Sequence, residues 1–187
     1  WQRHPAQGVW LTRPARRALG AAVALAIGIV ACAPAMDWRQ MQPEGWGLSV
    51  ALPCRPASHS RQVPLAGRSV DLTLMACTAE GHTYAIASAM LDDPAAVPAA
   101  LQALGQAARV NVKGVVEHEG AAQVPGMTPH PQARQWRLRG HLPDGTAVTS
   151  QSMVFGHGLR VFQATVVGPQ ADDLLARSFF ERIEVRP

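Results

Sequence analysis

Apolar residues along this chain recur at two spacings, and each spacing predicts a different element. From Trp46 to Leu52, the side chains of Trp46, Leu48, Val50 and Leu52 alternate with smaller or polar ones, which predicts a strand stopped by Pro53. A shorter strand is predicted over 61–65, with Ala66 and Gly67 as its turn. The 70–78 strand follows, with Val70, Leu72, Leu74 and Ala76 on one face and Cys77 on the other. Glu80 and Gly81 then turn the chain into 83–91, a run apolar enough to be buried on both faces. Weaker strands are predicted over 114–118 and 121–124, and 125–131 reads as a loop. A three-strand meander over 134–142, 146–155 and 159–167 follows. Its turns, at Asp144-Gly145 and Gly156-His157-Gly158, offer glycines for positive φ.

Helical spacing occurs twice. Asp92, Asp93 and Pro94 form a helix start, after which Val97, Leu101, Leu104 and Ala108 recur to about residue 109. Gly105 lies inside that run. Near the end, Asp172 or Asp173 caps a helix predicted over 174–182, with Leu175, Phe179 and Ile183 as its buried stripe. Phe180 falls about 100° round from Phe179, at the edge of the stripe, and is the predicted partner contact. These elements predict an α+β domain: an antiparallel sheet of about six to seven strands with two packed helices.

The N-terminal region breaks this pattern. Arg13, Arg16 and Arg17 precede an uncharged run over 18–31. As a helix that run is about 21 Å long, short of the roughly 30 Å hydrocarbon core, so it predicts a signal peptide rather than a span. The chain opens on Trp1, and Val9 or Leu11 is an expected alternative start. Two cleavage sites compete. Ile29-Val30-Ala31-Cys32 has the form of a lipobox, which predicts lipidation at Cys32 and a lipid-anchored protein on the periplasmic side of the envelope. Ala33-Pro34-Ala35 instead suits ordinary signal peptidase and would release a soluble periplasmic protein at Met36. An uncleaved leader holding the chain in the inner membrane is the third alternative. The predicted organisation is a leader over 1–32, a tether over 33–44 and one globular domain over 45–187.

Charge adds less than it first suggests. The formal net charge is +4, but four of the 17 basic residues (Arg3, Arg13, Arg16, Arg17) lie in the first 31 residues, which hold no acid. Beyond them stand 13 basic and 13 acidic residues, with no basic stripe interleaved with aromatics, which argues against nucleic acid as a partner. Cys54 and Cys77 remain under either cleavage and, in an oxidising compartment, predict one disulfide, with two free thiols as the alternative.

The candidate chemistry is sparse. Glu117, His118 and Glu119 are the densest group of metal-ligand types, but on a regular strand both carboxylates face away from His118. They converge only across a bulge, and a solvated edge is the predicted reading. His130 and His157 fall in turns, Met36 and Met41 are weakly spaced for copper, and Ser178 suits a cap or packing role. Trp46 and Trp136 read as core or interface aromatics. No nucleophile elbow, C-x-x-C or phosphate loop is present. The sequence therefore predicts no catalytic residue, no metal and no cofactor. An enzyme reading would require a cleft joining His118 or His141 to a carboxylate with a shifted pKa.

The opening Trp46–Pro53 followed by Pro56 is similar to the start of many small bacterial secreted proteins and lipoproteins. The ending, Phe162–Gly168 and then a short helix with Ser178, Phe179, Phe180 and Ile183, resembles their shared close. Those proteins have a fold like that of PsbP, the extrinsic subunit of plant photosystem II. The resemblance spans about 45–185 and implies a PsbP-like sandwich. Being made of core residues and turns, it carries no catalytic residue across. It also implies outer-membrane sorting, since Ala33 rather than an aspartate follows Cys32. The expected function is a membrane-tethered, non-enzymatic accessory module that binds an unidentified envelope protein. A carrier of a small apolar ligand and an unrecognised enzyme are the alternatives.

Overall fold

Alternation along the central strands sends side chains into two separate cores, one on each face of a single large sheet. The structure, a computed structural model, describes residues 36–186. In chain order the elements are β1 (Arg39–Met41), β2 (Leu48–Leu52), β3 (Ala57–Leu65), β4 (Arg68–Ala79), β5 (His82–Met90), α1 (Val97–Asn111), β6 (Val115–Ala121), β7 (Arg134–His141), β8 (Ala147–His157), β9 (Arg160–Gly168), α2 (Asp173–Phe180) and β10 (Ile183–Val185). Seven strands form one antiparallel sheet in the order β3-β4-β5-β9-β8-β7-β6, and β1-β2-β10 form a second, three-stranded one. The α+β class is as the pattern predicts.

On β8, Met153 and Phe155 enter the core beneath the small sheet, while Val148 and Val154 enter the core beneath α1. On β9, Phe162, Ala164 and Val166 face the small sheet, and Val161 faces α1. The two helices thus lie on opposite faces of the large sheet. Phe155 and Phe162, paired across β8 and β9, stack at 5.0 Å.

Two tight hairpins explain the regular half of the sheet. Ala66-Gly67 and Glu80-Gly81 both hold positive φ, which matches a two-residue turn to the strand twist. β3 and β4 then pair without interruption from Leu65↔Arg68 to Ala57↔Ala76. Asp93 caps a short 3₁₀ turn at Pro94–Ala96, accepting from the Ala95 amide at 2.8 Å, and α1 continues from it. Ala100, Leu101, Leu104, Gly105 and Ala108 form its buried stripe.

Several expectations are corrected. Residues 39–41, read as tether, form β1, because Arg39↔Leu52 through Met41↔Val50 add an edge to β2. Ile183 is not on α2. The helix ends at Phe180, and Ile183 begins β10, paired with Val50. Its burial, which periodicity assigns to a helical stripe, comes from a strand. Leu74 is not core but 39% exposed, since α1 covers only part of its face. The last hairpin turns at Gly158-Leu159, leaving His157 on β8 opposite Arg160.

Cys54 and Cys77 form the predicted disulfide, with Cα atoms 5.9 Å apart. The strands that carry or precede them are not neighbours in one sheet, as a bridge between adjacent strands would require. β2 pairs with β1 and β10, and β4 with β3 and β5, so the bond ties the small sheet to the large one. It closes a separation of 23 residues, worth about 3 kcal/mol in the chain-entropy model. Among the described residues no helix is long and apolar enough to cross a membrane. The predicted leader, and Cys32 with it, lies outside the described residues.

Candidate functional site

The small sheet does not cover the whole inner face of the large one. Toward β6, that face carries Gln135, Arg137 and Arg139 on β7 and Gln151 on β8, where the parity of the strands would otherwise place core residues. Over this polar sector α2 forms the opposite wall, and a cleft of about 430 Å³ lies between them. Its lining includes His118, Gln135, Arg137, Gln151, Asp173 and Phe180.

A bulge shapes the β6 side. Val116 pairs with Leu138 and His118 with Arg137, so Glu117 is the extra residue. Parity shifts there, and Glu117 meets Arg137 at 3.2 Å and Arg139 at 3.1 Å on the same side as His118. Glu119 goes to the other face, near Arg109 of α1 (3.5 Å) and Arg134 (3.8 Å). The bulge corrects the expected facing of Glu117, whose carboxylate lies on the His118 side, but all three residues stay exposed on the edge strand β6, as the solvated-edge reading expects. No group of three metal-ligand side chains converges among the described residues.

Arg137 connects the two walls. Its Nη1 donates to Asp173 Oδ1 at 3.2 Å, while its Nε lies 3.2 Å from Glu117 Oε2 but off the N–H axis, so that contact is ionic. Gln151 Nε2 donates to the same Asp173 oxygen at 2.7 Å and reaches the Ala171 carbonyl at 3.3 Å. Asp172, one residue earlier, is the N-cap of α2 and accepts from the Leu175 amide at 2.8 Å. Asp173 is held below the ordinary carboxylate range by the Gln151 hydrogen bond first; desolvation opposes this, and the charges of Arg137 and His118 add to the lowering. It is ionised at neutral pH and its acceptor capacity is directed to Gln151 and Arg137. A depressed, doubly bonded carboxylate of this kind orients neighbours and does not supply a general acid.

The apolar part of the lining includes Met153, Ala176 and Phe180. Phe180 is half-buried, with its ring 5.6 Å from that of Phe179, which is fully buried. Its intermediate position on α2 is the one the helical wheel predicts, and the structure places it on the cleft wall. His118 lines the cleft, whereas His141 sits at the far end of β7. His130 Nδ1 accepts from the Gln132 amide at 3.0 Å, and His157 Nδ1 lies 3.0 Å from the Gly126 carbonyl oxygen. Ser178 Oγ donates to the Leu175 carbonyl at 2.7 Å, and Met36 and Met41 pack on the core.

Sequence reasoning missed Arg137, Gln151 and Glu117 as a group. A signal was available, since Arg137, Arg139 and Gln151 interrupt the core-facing parity of two strands that are otherwise sheet interior. The fold and cleft together define an α+β domain with an open, partly charged cleft beside α2. No protein-family model matches this chain, and no curated protein matches it.

Proposed function

We propose that this chain is a membrane-tethered, non-enzymatic accessory protein of the bacterial cell envelope. In this reading it is carried there by a leader ending at Cys32, and it binds a segment of another envelope protein in the cleft between α2 and β6–β8. The observation that carries the binding reading is the state of the cleft's charges. Glu117, Arg137, Asp173 and Gln151 already pair with one another, which leaves Phe180 and the neighbouring apolar wall, flanked by Arg177 and Glu181, as the contact surface. An aromatic anchor beside a self-paired polar floor is the arrangement expected of a protein-contact site. The volume also lies within the range of ordinary binding clefts. A carrier of apolar ligands would suit an apolar lining, and this floor is charged. The resemblance to small bacterial lipoproteins supports the tether.

The experiment is affinity capture of the tagged protein from native membranes, beside the Cys32→Ala and Phe180→Ala variants. The expected result is an envelope protein enriched by the wild type and lost with Phe180→Ala at unchanged fold. Intact mass of the wild type should show acylation at Cys32. A capture profile identical for wild type and Phe180→Ala would overturn the cleft assignment.

A further inference from the structure

The first described residues build a second surface, away from the charged floor of the cleft. Met36, Trp38 and Met41 are half-buried against the larger core, and the Asp37 amide donates to the Pro53 carbonyl at 2.9 Å. The Arg182 guanidinium lies 4.4 Å from the centre of the Trp38 ring, a cation–π contact that fixes both groups. Arg182 is exposed, as is Arg55, two residues past Pro53, and neither has a carboxylate partner among the described residues. Arg39, also exposed, pairs with Asp37. Glu181, the acid nearest along the chain, lines the cleft instead. Arg182 thus lies against a half-exposed tryptophan, Arg39 follows that tryptophan in sequence, and Arg55 lies two residues beyond the backbone contact of Asp37 with Pro53.

We propose that this face docks on an anionic phospholipid surface. Arg39, Arg55 and Arg182 meet the headgroup phosphates, and the Trp38 indole lies at the boundary of headgroups and acyl chains. The proposal deepens the membrane-tethered reading and takes its geometry from it. Four peptide steps separate Cys32 from Met36, a reach of about 14 Å at full extension. An acyl chain on Cys32 would therefore keep this face within about that distance of the bilayer, close enough to settle into the roughly 8–10 Å layer in which basic side chains sense anionic lipid. Tryptophan supplies the amphipathic ring that interfaces favour. Docking would also set the C-terminal end of α2 beside the bilayer, since Arg182 follows Phe180 by two residues. The cleft would then meet its partner at the membrane surface.

The test uses the unacylated Cys32→Ala protein at low salt, floated with phosphatidylcholine vesicles with or without phosphatidylglycerol. Binding should require phosphatidylglycerol and fall roughly tenfold on each of Arg39→Glu and Arg182→Glu. Arg61→Glu, the same charge change on the distant strand β3, should leave it unchanged. Brominated lipid should quench wild-type fluorescence more than that of Trp38→Phe, with thermal melts confirming that every variant folds. Equal binding to both vesicle types, or an equal loss with Arg61→Glu, would overturn the surface. An unmodified Cys32 by intact mass, with vesicle binding retained, would sink the lipid anchor and leave the surface standing.

Discussion

Gln151, on the inner face of β8, donates a 2.7 Å hydrogen bond to Asp173 in the first turn of α2. This contact fastens the last helix to the sheet at the point where the hydrophobic core gives way to the cleft. A carboxylate in a helix's first turn also complements the helix dipole, so the two effects act in the same direction.

The Asp173 pKa is lowered in the folded protein, so its contribution to stability is present above the unfolded carboxylate value of about 4. That contribution is lost as pH falls through the lowered folded value. Chemical denaturation between pH 5 and pH 2 should therefore show a shallower acid loss for Asp173→Asn than for the wild type. The difference should be modest, because the Asp173 side chain is 70% exposed and its charge is screened by solvent. Superimposable acid limbs would remove Asp173 from the linkage.

Tyr84 offers a cleaner titration, being the chain's one tyrosine. Its ring is fully buried between Trp38 and Phe179, at centroid distances of 6.3 and 5.7 Å, and its hydroxyl has no hydrogen-bond partner among the described residues. Desolvation first, then the charges of Glu80 and Asp172, push its pKa up to about 12. A raised folded value means that the neutral phenol's contribution is complete below pH 10 and disappears as pH rises toward 12. Ultraviolet titration should thus place phenolate formation well above that of the urea-unfolded chain. Tyr84→Phe removes an unsatisfied buried hydroxyl and should be neutral or stabilising by about 1 kcal/mol. A native titration midpoint near 10 would contradict the burial of the hydroxyl.

Phe179 and Phe180 are adjacent in sequence but differ in burial, and their alanine variants should separate. Phe179, fully buried against Tyr84, should cost about 3–5 kcal/mol on truncation. Phe180→Ala should cost clearly less, and the exposed Arg177→Ala almost nothing. Thermal melts of the three variants decide it. Equal losses for the two phenylalanines would make Phe180 core and remove it from the cleft's binding surface.

How much of this was legible follows from the length scale of each signal. Most strands of the large sheet and both helix starts show in local periodicity and turn residues, such as Ala66-Gly67 and Asp93-Pro94. However, β3 starts at Ala57 rather than 61, and the two weak strands expected over 114–118 and 121–124 are one, Val115–Ala121. β1 and β10 do not show in periodicity, because each is three residues long and too short to display a period. Their pairing with β2 is set by contacts between distant parts of the chain, and Ile183 illustrates the cost: a residue at i+8 from Leu175 looks helical until the chain turns. The cleft was hidden for a related reason. Arg137 and Asp173 are 36 residues apart, and the Glu117 bulge inverts the parity from which a strand's face is inferred.

Gly105 tests the packing of the second core, where α1 crosses β7. The helix presents Gly105 directly to the Trp136 ring, and a Cβ there would fall 2.5 Å from the Cη2 atom. Trp136 is buried, and the Arg109 guanidinium lies 5.2 Å from its ring centre on the helix side, so the ring has little freedom to retreat. Two opposing effects meet in Gly105→Ala. Alanine favours a helix interior by about 1 kcal/mol over glycine, while overpacking a tight core costs about 1–3 kcal/mol. With a rigid indole as the obstacle, overpacking should prevail and the variant should lose about 1–2 kcal/mol. Trp136→Phe removes the Cη2 atom and opens a cavity, so alone it should also destabilise. Combined with it, Gly105→Ala should become neutral or stabilising, because the clash is gone and the propensity gain remains. A double-mutant cycle by denaturant melts measures this coupling directly. If Gly105→Ala costs the same in both backgrounds, the close approach of α1 to Trp136 is not what requires glycine.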